Sequence, residues 1–209
     1  MRRDRLAALS ALIVGAAALQ GCIALAGLGG AAAYSTLEDR RTTGTQIEDE
    51  GIEVRAANRL EALRGRAHVN VTSFNGAVLL TGEAWDDATR EEVEKIVAAV
   101  PNVRSVTNEI QVGALSSLGA RANDTTLTAA VRGRFVNVKS FNPMHVKVVT
   151  EAGVVYLLGI VTEKEADAVT EIVRTTGGVR KVVRVFEYCA PGAGPCRTSA
   201  PASPPKSVR

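Results

Sequence analysis

HVNVTSFNGAVLLTG at residues 68–82 returns as HVKVVTEAGVVYLLG at residues 145–159, every position displaced by 77. His, two Val, Gly, Val, Leu and Gly coincide, and such self-similarity marks a duplicated structural unit. Apolar residues alternate on both sides of a turn in each copy: Val69/Val71 with Val78/Leu80, and Val146/Val148 with Val155/Leu157. The turns contain Asn75-Gly76 and Ala152-Gly153. Alternation at a period of two around such a turn predicts a β-hairpin with one face buried.

The repeat continues outward. With a one-residue slip, Val93, Ile96, Val97, Val103, Val106 and Ile110 lie over Val169, Ile172, Val173, Val179, Val182 and Phe186. This predicts a second helix over 87–100 or 163–176, followed by a last strand from Val103 or Val179. Upstream, Ile52/Ala56/Leu60 and Leu127/Val131/Phe135 recur at i, i+4, i+8, one buried helical stripe each, with Asp49 and Asp124 as expected N-caps. The fold class read here is α+β: two tandem α-β-β-α-β domains, each a three-stranded mixed sheet on two helices. The first domain is placed at 47–113, a linker at 114–123, the second domain at 124–188, and a Pro-rich tail expected to lack structure at 189–209.

The N-terminus carries a different message. Met1-Arg2-Arg3-Asp4-Arg5 runs into an apolar stretch from Leu6 to Leu19 interrupted only by Ser10, the layout of a signal peptide over 1–21. The stretch is shorter than the roughly 20 residues a membrane-crossing helix needs. Leu19-Gln20-Gly21-Cys22 resembles the lipobox of bacterial lipoproteins, which implies acylation of Cys22, and Ile23 rather than Asp beside it implies outer-membrane sorting. Residues 22–46 then read as the lipidated N-terminus and a flexible tether.

Composition narrows the partners. Without 1–21 the chain keeps 22 basic and 21 acidic side chains, so no nucleic-acid partner is expected. Aromatic content of 4% suits small Val/Leu/Ala cores. Cys189 and Cys196 are candidates for a disulfide across a short loop. No metal site and no cofactor are expected, since His68 and His145 are far from the cysteines in sequence. No nucleophile–base pair stands out and the two histidines occupy equivalent strand starts, so a structural role is read for them and no enzyme activity is expected.

The pattern Val-x-Val, Gly-x-Val-x-Leu-x-Gly, a helix, then GVRKV at 178–182 resembles the BON domain. RTTGTQ at 41–46, NDT at 123–125 and VTEKEA at 161–166 belong to the same match. A lipobox followed by two such domains is similar to a group of outer-membrane lipoproteins. The resemblance implies a non-enzymatic envelope protein that docks on anionic phospholipid through its second domain and supports envelope integrity and, in some members, functions at the cell-division site. Carried onto matching positions, the phospholipid contacts implied are Asn123, Asp124, Thr125, Thr126, Leu127, Ala129, Arg132 and Gly133. Relatives can carry a Trp where Thr126 stands.

Charge separates the copies. Residues 47–113 hold 12 acidic and 7 basic side chains, net −5, whereas 124–188 hold 7 acidic and 9 basic, net +2. Only the second copy is suited to an anionic surface, with Arg132, Arg134, Lys139 and Lys147 as nearest cations and the N–H groups at the helix start as headgroup donors. The alternative is an adaptor that binds an envelope protein or peptidoglycan through the acidic first domain, using Glu48, Asp49, Glu50, Glu53 and the Trp85-Asp86-Asp87 corner.

Overall fold

The computed structural model describes residues 39–114, 116–136, 138–189 and 206–208. The stretch expected to be a signal peptide, Cys22, the expected tether before Asp39 and Cys196 lie outside the described residues. The first domain runs α1 (Thr43–Leu60), β1 (Ala67–Phe74), β2 (Ala77–Ala84), α2 (Asp87–Ala98), β3 (Ser105–Asn108) and β4 (Gln111–Val112). The second runs α3 (Leu118–Phe135), β5 (Val146–Glu151), β6 (Val154–Val161), α4 (Glu163–Arg174) and β7 (Lys181–Tyr188), with β8 (Lys206–Val208) after it. In each, an antiparallel hairpin is joined in parallel by the last strand, giving sheet orders β1-β2-β3 and β5-β6-β7-β8. The last strand of the first domain is broken, and β4 resumes the parallel pairing to β2 after Glu109-Ile110.

Three expectations are corrected. Asp49 and Asp124 do not start their helices: α1 is capped by Thr42, whose hydroxyl accepts from Thr45 N–H, and α3 by Ser117, which accepts from Ala120 N–H. Residues 118–123, read as linker, are thus the first turns of α3. Ser and Thr are as suitable caps as Asp, so propensity could not choose between them. Within the tail, Lys206–Val208 pairs antiparallel with β7, with Val182 opposite Val208. A strand left at a sheet edge carries a row of ladder groups open to such pairing. Cys189 is disulfide-bonded.

The two aspartates instead hold the hairpin turns. Asn75 and Gly76 have φ of 53° and 74°, Ala152 and Gly153 of 48° and 72°, so both turns are left-handed at both central residues. Asp49 is 3% exposed and accepts from Asn75 N–H at 2.7 Å, Gly76 N–H at 2.8 Å and the Ser73 hydroxyl at 2.6 Å. Arg41 lies at 2.9 Å from Oδ2, the oxygen that also accepts from Asn75, and over the Phe74 ring. Asp124 repeats the arrangement with Ala152 N–H and Gly153 N–H, both at 2.9 Å. Such a carboxylate pins helix to hairpin, and a charged acceptor strengthens each bond.

The repeated Gly at the hairpin's far end has a backbone explanation. A Cβ on Gly82 would stand 2.0 Å from the carbonyl oxygen of His68, and one on Gly159 2.3 Å from that of His145. Only glycine lets the two strands approach so closely.

Each domain packs its helices on one sheet face. Ile52, Ala56, Val78, Leu80, Val93 and Val97 form the first core; Val131, Phe135, Val155, Leu157, Val169, Val173 and Phe186 form the second. The opposite sheet faces meet in a third apolar cluster, Phe74 and Leu79 against Tyr156, Leu158, Ile160, Val183 and Val185. Both domains therefore belong to one compact unit, Asp39–Arg209. Polar bonds ring this cluster: Asn70 to Glu151 at 2.8 Å, Lys147 to Glu53 at 2.8 Å, and Arg104 to Glu187 at 3.2 Å. Burial pushes the Glu151 carboxyl above its ordinary range, against the hydrogen bond from Asn70. Ahead of α1, Arg40 reaches across to Glu165 at 2.8 and 2.9 Å and donates to the Ile160 carbonyl at 2.7 Å. Burial alone would raise Glu165; hydrogen bonds from Arg40 and Thr162 outweigh it and hold the carboxyl at about 2.

Asp49→Ala is expected to lower the unfolding free energy by about 3–5 kcal/mol, the cost of stripping one partner from a buried charged network. Asp124→Ala, with fewer donors orphaned, is expected to cost about 1.5–3 kcal/mol. Urea unfolding measures both, and losses of only about 0.5 kcal/mol, the size of surface effects, would show that the turns hold without their carboxylates. Because Glu165 titrates lower folded than unfolded, its contribution is complete above about pH 4.5 and fades toward pH 2. The difference in melting temperature between the natural chain and Arg40→Gln should shrink across that window; a difference constant with pH would refute the assignment.

Candidate functional site

The eight positions implied for phospholipid contact all lie on α3, and its geometry divides them. Val131 and Phe135 are buried against the sheet. Leu127 is half-buried and Asp124, at 9% exposure, is turned inward onto the hairpin. Asn123, Thr125, Thr126, Ala129, Arg132 and Gly133 are exposed. The hydroxyls of Thr125 and Thr126 bond back to the carbonyls of Arg121 and Ala122, each at 3.0 Å. This back-bonding satisfies the hydroxyls within the helix and leaves the methyl groups to cover its outer surface. The result is a mild, small-residue face.

The expectation that N–H groups around Asn123-Asp124-Thr125 read a headgroup is corrected. These residues sit within α3, past its first turn, where N–H groups serve the helix itself. The nearby cations also separate. Arg134 caps α4, donating to the Ile172 carbonyl at 2.6 Å and to the Thr175 and Thr176 hydroxyls. Lys147 points to the other domain, on Glu53 and the Ser73 carbonyl. Arg132 is exposed and its one described bond, to the Val148 carbonyl, is long at 3.3 Å. Lys139 is exposed. Asp124, the one acidic residue in α3, is buried, so the outer surface of this 18-residue helix carries no negative charge.

Beside that face opens a cleft of about 610 Å³. Ala120, Leu127 and Ala130 line it from α3, Gly177 and Gly178 from the loop after α4, and Arg180 from its rim. The sequence placed Gly178 and Arg180 in the family pattern GVRKV but gave no site role to either of them or to Gly177. The signal was present only as a comparison of the two copies, in which Gly177-Gly178 stands where the first has Pro101-Asn102.

The acidic residues of the first domain do not form one surface. Asp49 is buried, Glu53 accepts from Ser73 N–H and Lys147, and Glu48 is held below the usual carboxylate range by Asn102 and Arg55. Asp86 caps α2 through Thr89 N–H at 2.7 Å, and Asp87 pairs with Arg90. Trp85 is 63% exposed, and Val112, across the strand end from Ala84, is 44% exposed. Among the described residues no helix is long and apolar enough to cross a membrane, and no group of His, Cys, Asp or Glu is arranged to hold a metal ion.

Comparison with known proteins agrees with this architecture. The family model described as the BON domain matches residues 48–114 and 123–190. The outer membrane lipoprotein DolP of Haemophilus influenzae is 36% identical over 182 residues, 85% of this chain and 94% of the relative. A 21 kDa hemolysin of Actinobacillus pleuropneumoniae is 35% identical over 153 residues, covering 72% of this chain and 79% of the relative. The osmotically-inducible protein Y of Escherichia coli is 29% identical over 117 residues, covering 54% and 58%. Two matched segments that coincide with the two hairpin-and-helix units establish that the chain belongs to the BON-domain family.

Proposed function

We propose that this protein is a non-enzymatic lipoprotein of the outer membrane, facing the periplasm, whose second domain docks on anionic phospholipid and supports envelope integrity. The lipid on Cys22 is its main anchor in this reading. The observation that carries the docking is α3: its one carboxylate is withdrawn under a turn while Arg132 stands exposed on a surface of small side chains. α1, by contrast, carries Glu48, Asp49, Glu50 and Glu53. Similarity to an outer membrane lipoprotein over most of both chains supports the location.

The contact expected is shallow and electrostatic. Thr126 offers a methyl-sized surface where relatives can carry an aromatic ring, so charge supplies most of the attraction, at about 1 kcal/mol per basic residue near the surface. A weak second contact suffices once a lipid holds the chain at the membrane.

Exposure of Trp85 and of Val112, which pairs with the preceding Ala84, favours a second reading, an adaptor that binds an envelope protein through the first domain. A pull-down that survives high salt and is lost with Trp85→Ala would select it.

Vesicle flotation tests the first reading. Unacylated protein is expected to float with phosphatidylglycerol or cardiolipin vesicles at low salt and not with neutral ones. Arg132→Glu, a change of two charges, should weaken this by about 2 kcal/mol, roughly 30-fold. Thr126→Trp should strengthen binding and make it less salt-sensitive. Equal flotation on neutral and anionic vesicles, or indifference to Arg132→Glu, would rule out charge-led docking through α3.

A further inference from the structure

The cleft beside α3 has a counterpart in the first domain, and the two differ in a directed way. The earlier cleft, about 380 Å³, lies between α1 and the loop after α2 and is lined by Glu48, Ile52, Asn102 and Arg104. Its mouth is bridged: Glu48 accepts from Arg55 and from Asn102 Nδ2 at 2.9 Å, and Arg55 reaches the Pro101 carbonyl at 3.4 Å. In the second domain the residues at these four places are Asn123, Ala130, Gly177 and Gly178. Both long side chains of the bridge are shortened, and the loop loses both of its side chains. The space grows to about 610 Å³, within the roughly 300–1,000 Å³ of small-ligand pockets.

One member of the site is retained. Arg104 and Arg180 hold the same backbone pose, each donating its N–H to the second turn residue, Gly76 at 2.8 Å and Gly153 at 2.9 Å. Each guanidinium also touches the carbonyl of the first turn residue, Asn75 at 2.8 Å and Ala152 at 3.3 Å. Arg104 also meets a carboxylate, that of Glu187, brought to it by β7 across the contact between the domains, with both oxygens within 3.4 Å. Arg180 is exposed and has no carboxylate partner among the described residues. The Asp124 carboxylate at the back of the cleft is occupied by two turn N–H groups.

We propose that the second-domain cleft binds one single-chain anionic amphiphile, with its carboxylate on Arg180 and its alkyl chain along Leu127, Ala120 and Ala130. Arg104 shows that a guanidinium in this backbone pose can hold a carboxylate, and the opened, alkyl-lined cleft supplies the tail site. Binding is to a dissolved monomer, so it is read separately from vesicle docking, although Asn123, Asp124, Thr126 and Leu127 line the cleft and also belong to the set implied for phospholipid contact.

Titration of the purified full chain with decanoate, kept monomeric and followed by amide NMR, tests this. Saturable shifts are expected at Gly153, Gly177 and Gly178, with Gly51 and Gly76 of the first domain unmoved. Arg180→Gln and the cleft-filling pair Ala130→Gln/Gly178→Asn should each weaken binding at least tenfold. The exposed positions of Arg180 and Ala130 leave the rest of the spectrum as an internal check of folding. The neutral alcohol decanol should bind at least tenfold more weakly than decanoate. Absence of saturable shifts, equal binding of decanol, or affinity unchanged in both variants would overturn the site. Flotation on anionic vesicles reads Arg132 instead, so failure of one result leaves the other standing.

Discussion

A carboxylate inside the opening helix, bonded to the two N–H groups of a left-handed hairpin turn, is the constraint around which each domain is built. Turn residues at positive φ point their N–H groups away from the strand ladder, and a buried N–H without an acceptor is costly. Asp49 and Asp124 remove that cost and in doing so fix the height and rotation of α1 and α3 over their sheets. The buried helical stripes then fall on the hairpins, and the parallel last strand closes the layer. Ala152, without glycine's freedom at φ 48°, shows how firmly the turn is held.

The second organising contact is between domains. Alternation alone describes a sheet with one solvated face, yet β6 is buried along almost its whole length and β2 along all of it. Tyr156, Leu158 and Ile160 on one sheet cover Phe74 and Leu79 on the other, each such burial contributing about 1.5–3 kcal/mol. The polar ring around this cluster, with Arg40 on Glu165 and Lys147 on Glu53, sets the register of one sheet on the other. It also engages Lys147 with the acidic Glu53. Charges that look available when counted along the chain are engaged when the domains meet.

Duplication followed by divergence left the two copies with different clefts. The same helix, turn and loop enclose a bridged, charged cleft in the first domain and an open, alkyl-lined one in the second. Neither change disturbs the aspartate beneath, so the scaffold tolerates it. Function can then vary on the outer half of the helix while the inner half keeps the fold.

The period-two hairpins, the i, i+4, i+8 stripes and the repeat were legible in the chain because they express local geometry. Each needs only the alternation of a strand or the pitch of a helix. From these alone the α-β-β-α-β order and the outward set Thr125, Thr126, Ala129, Arg132 and Gly133 could be written down. The run VVYLLGIV at 154–161 held a further signal, since an apolar stretch without alternation belongs to a strand covered on both faces. What tertiary structure alone decided was the employment of polar groups. Asp49 and Asp124 have the same propensity as caps or as turn anchors, and only the approach of a hairpin 26 to 29 residues away selects the second. Arg134 and Lys147 lose their freedom to partners in α4 and in the other domain, while Gly177, Gly178 and Arg180 become a cleft wall through a loop folded against α3. Apolar residues are sorted by periodicity before the chain folds; a polar side chain acquires its role from whichever donor or acceptor the folded chain brings within about 3 Å.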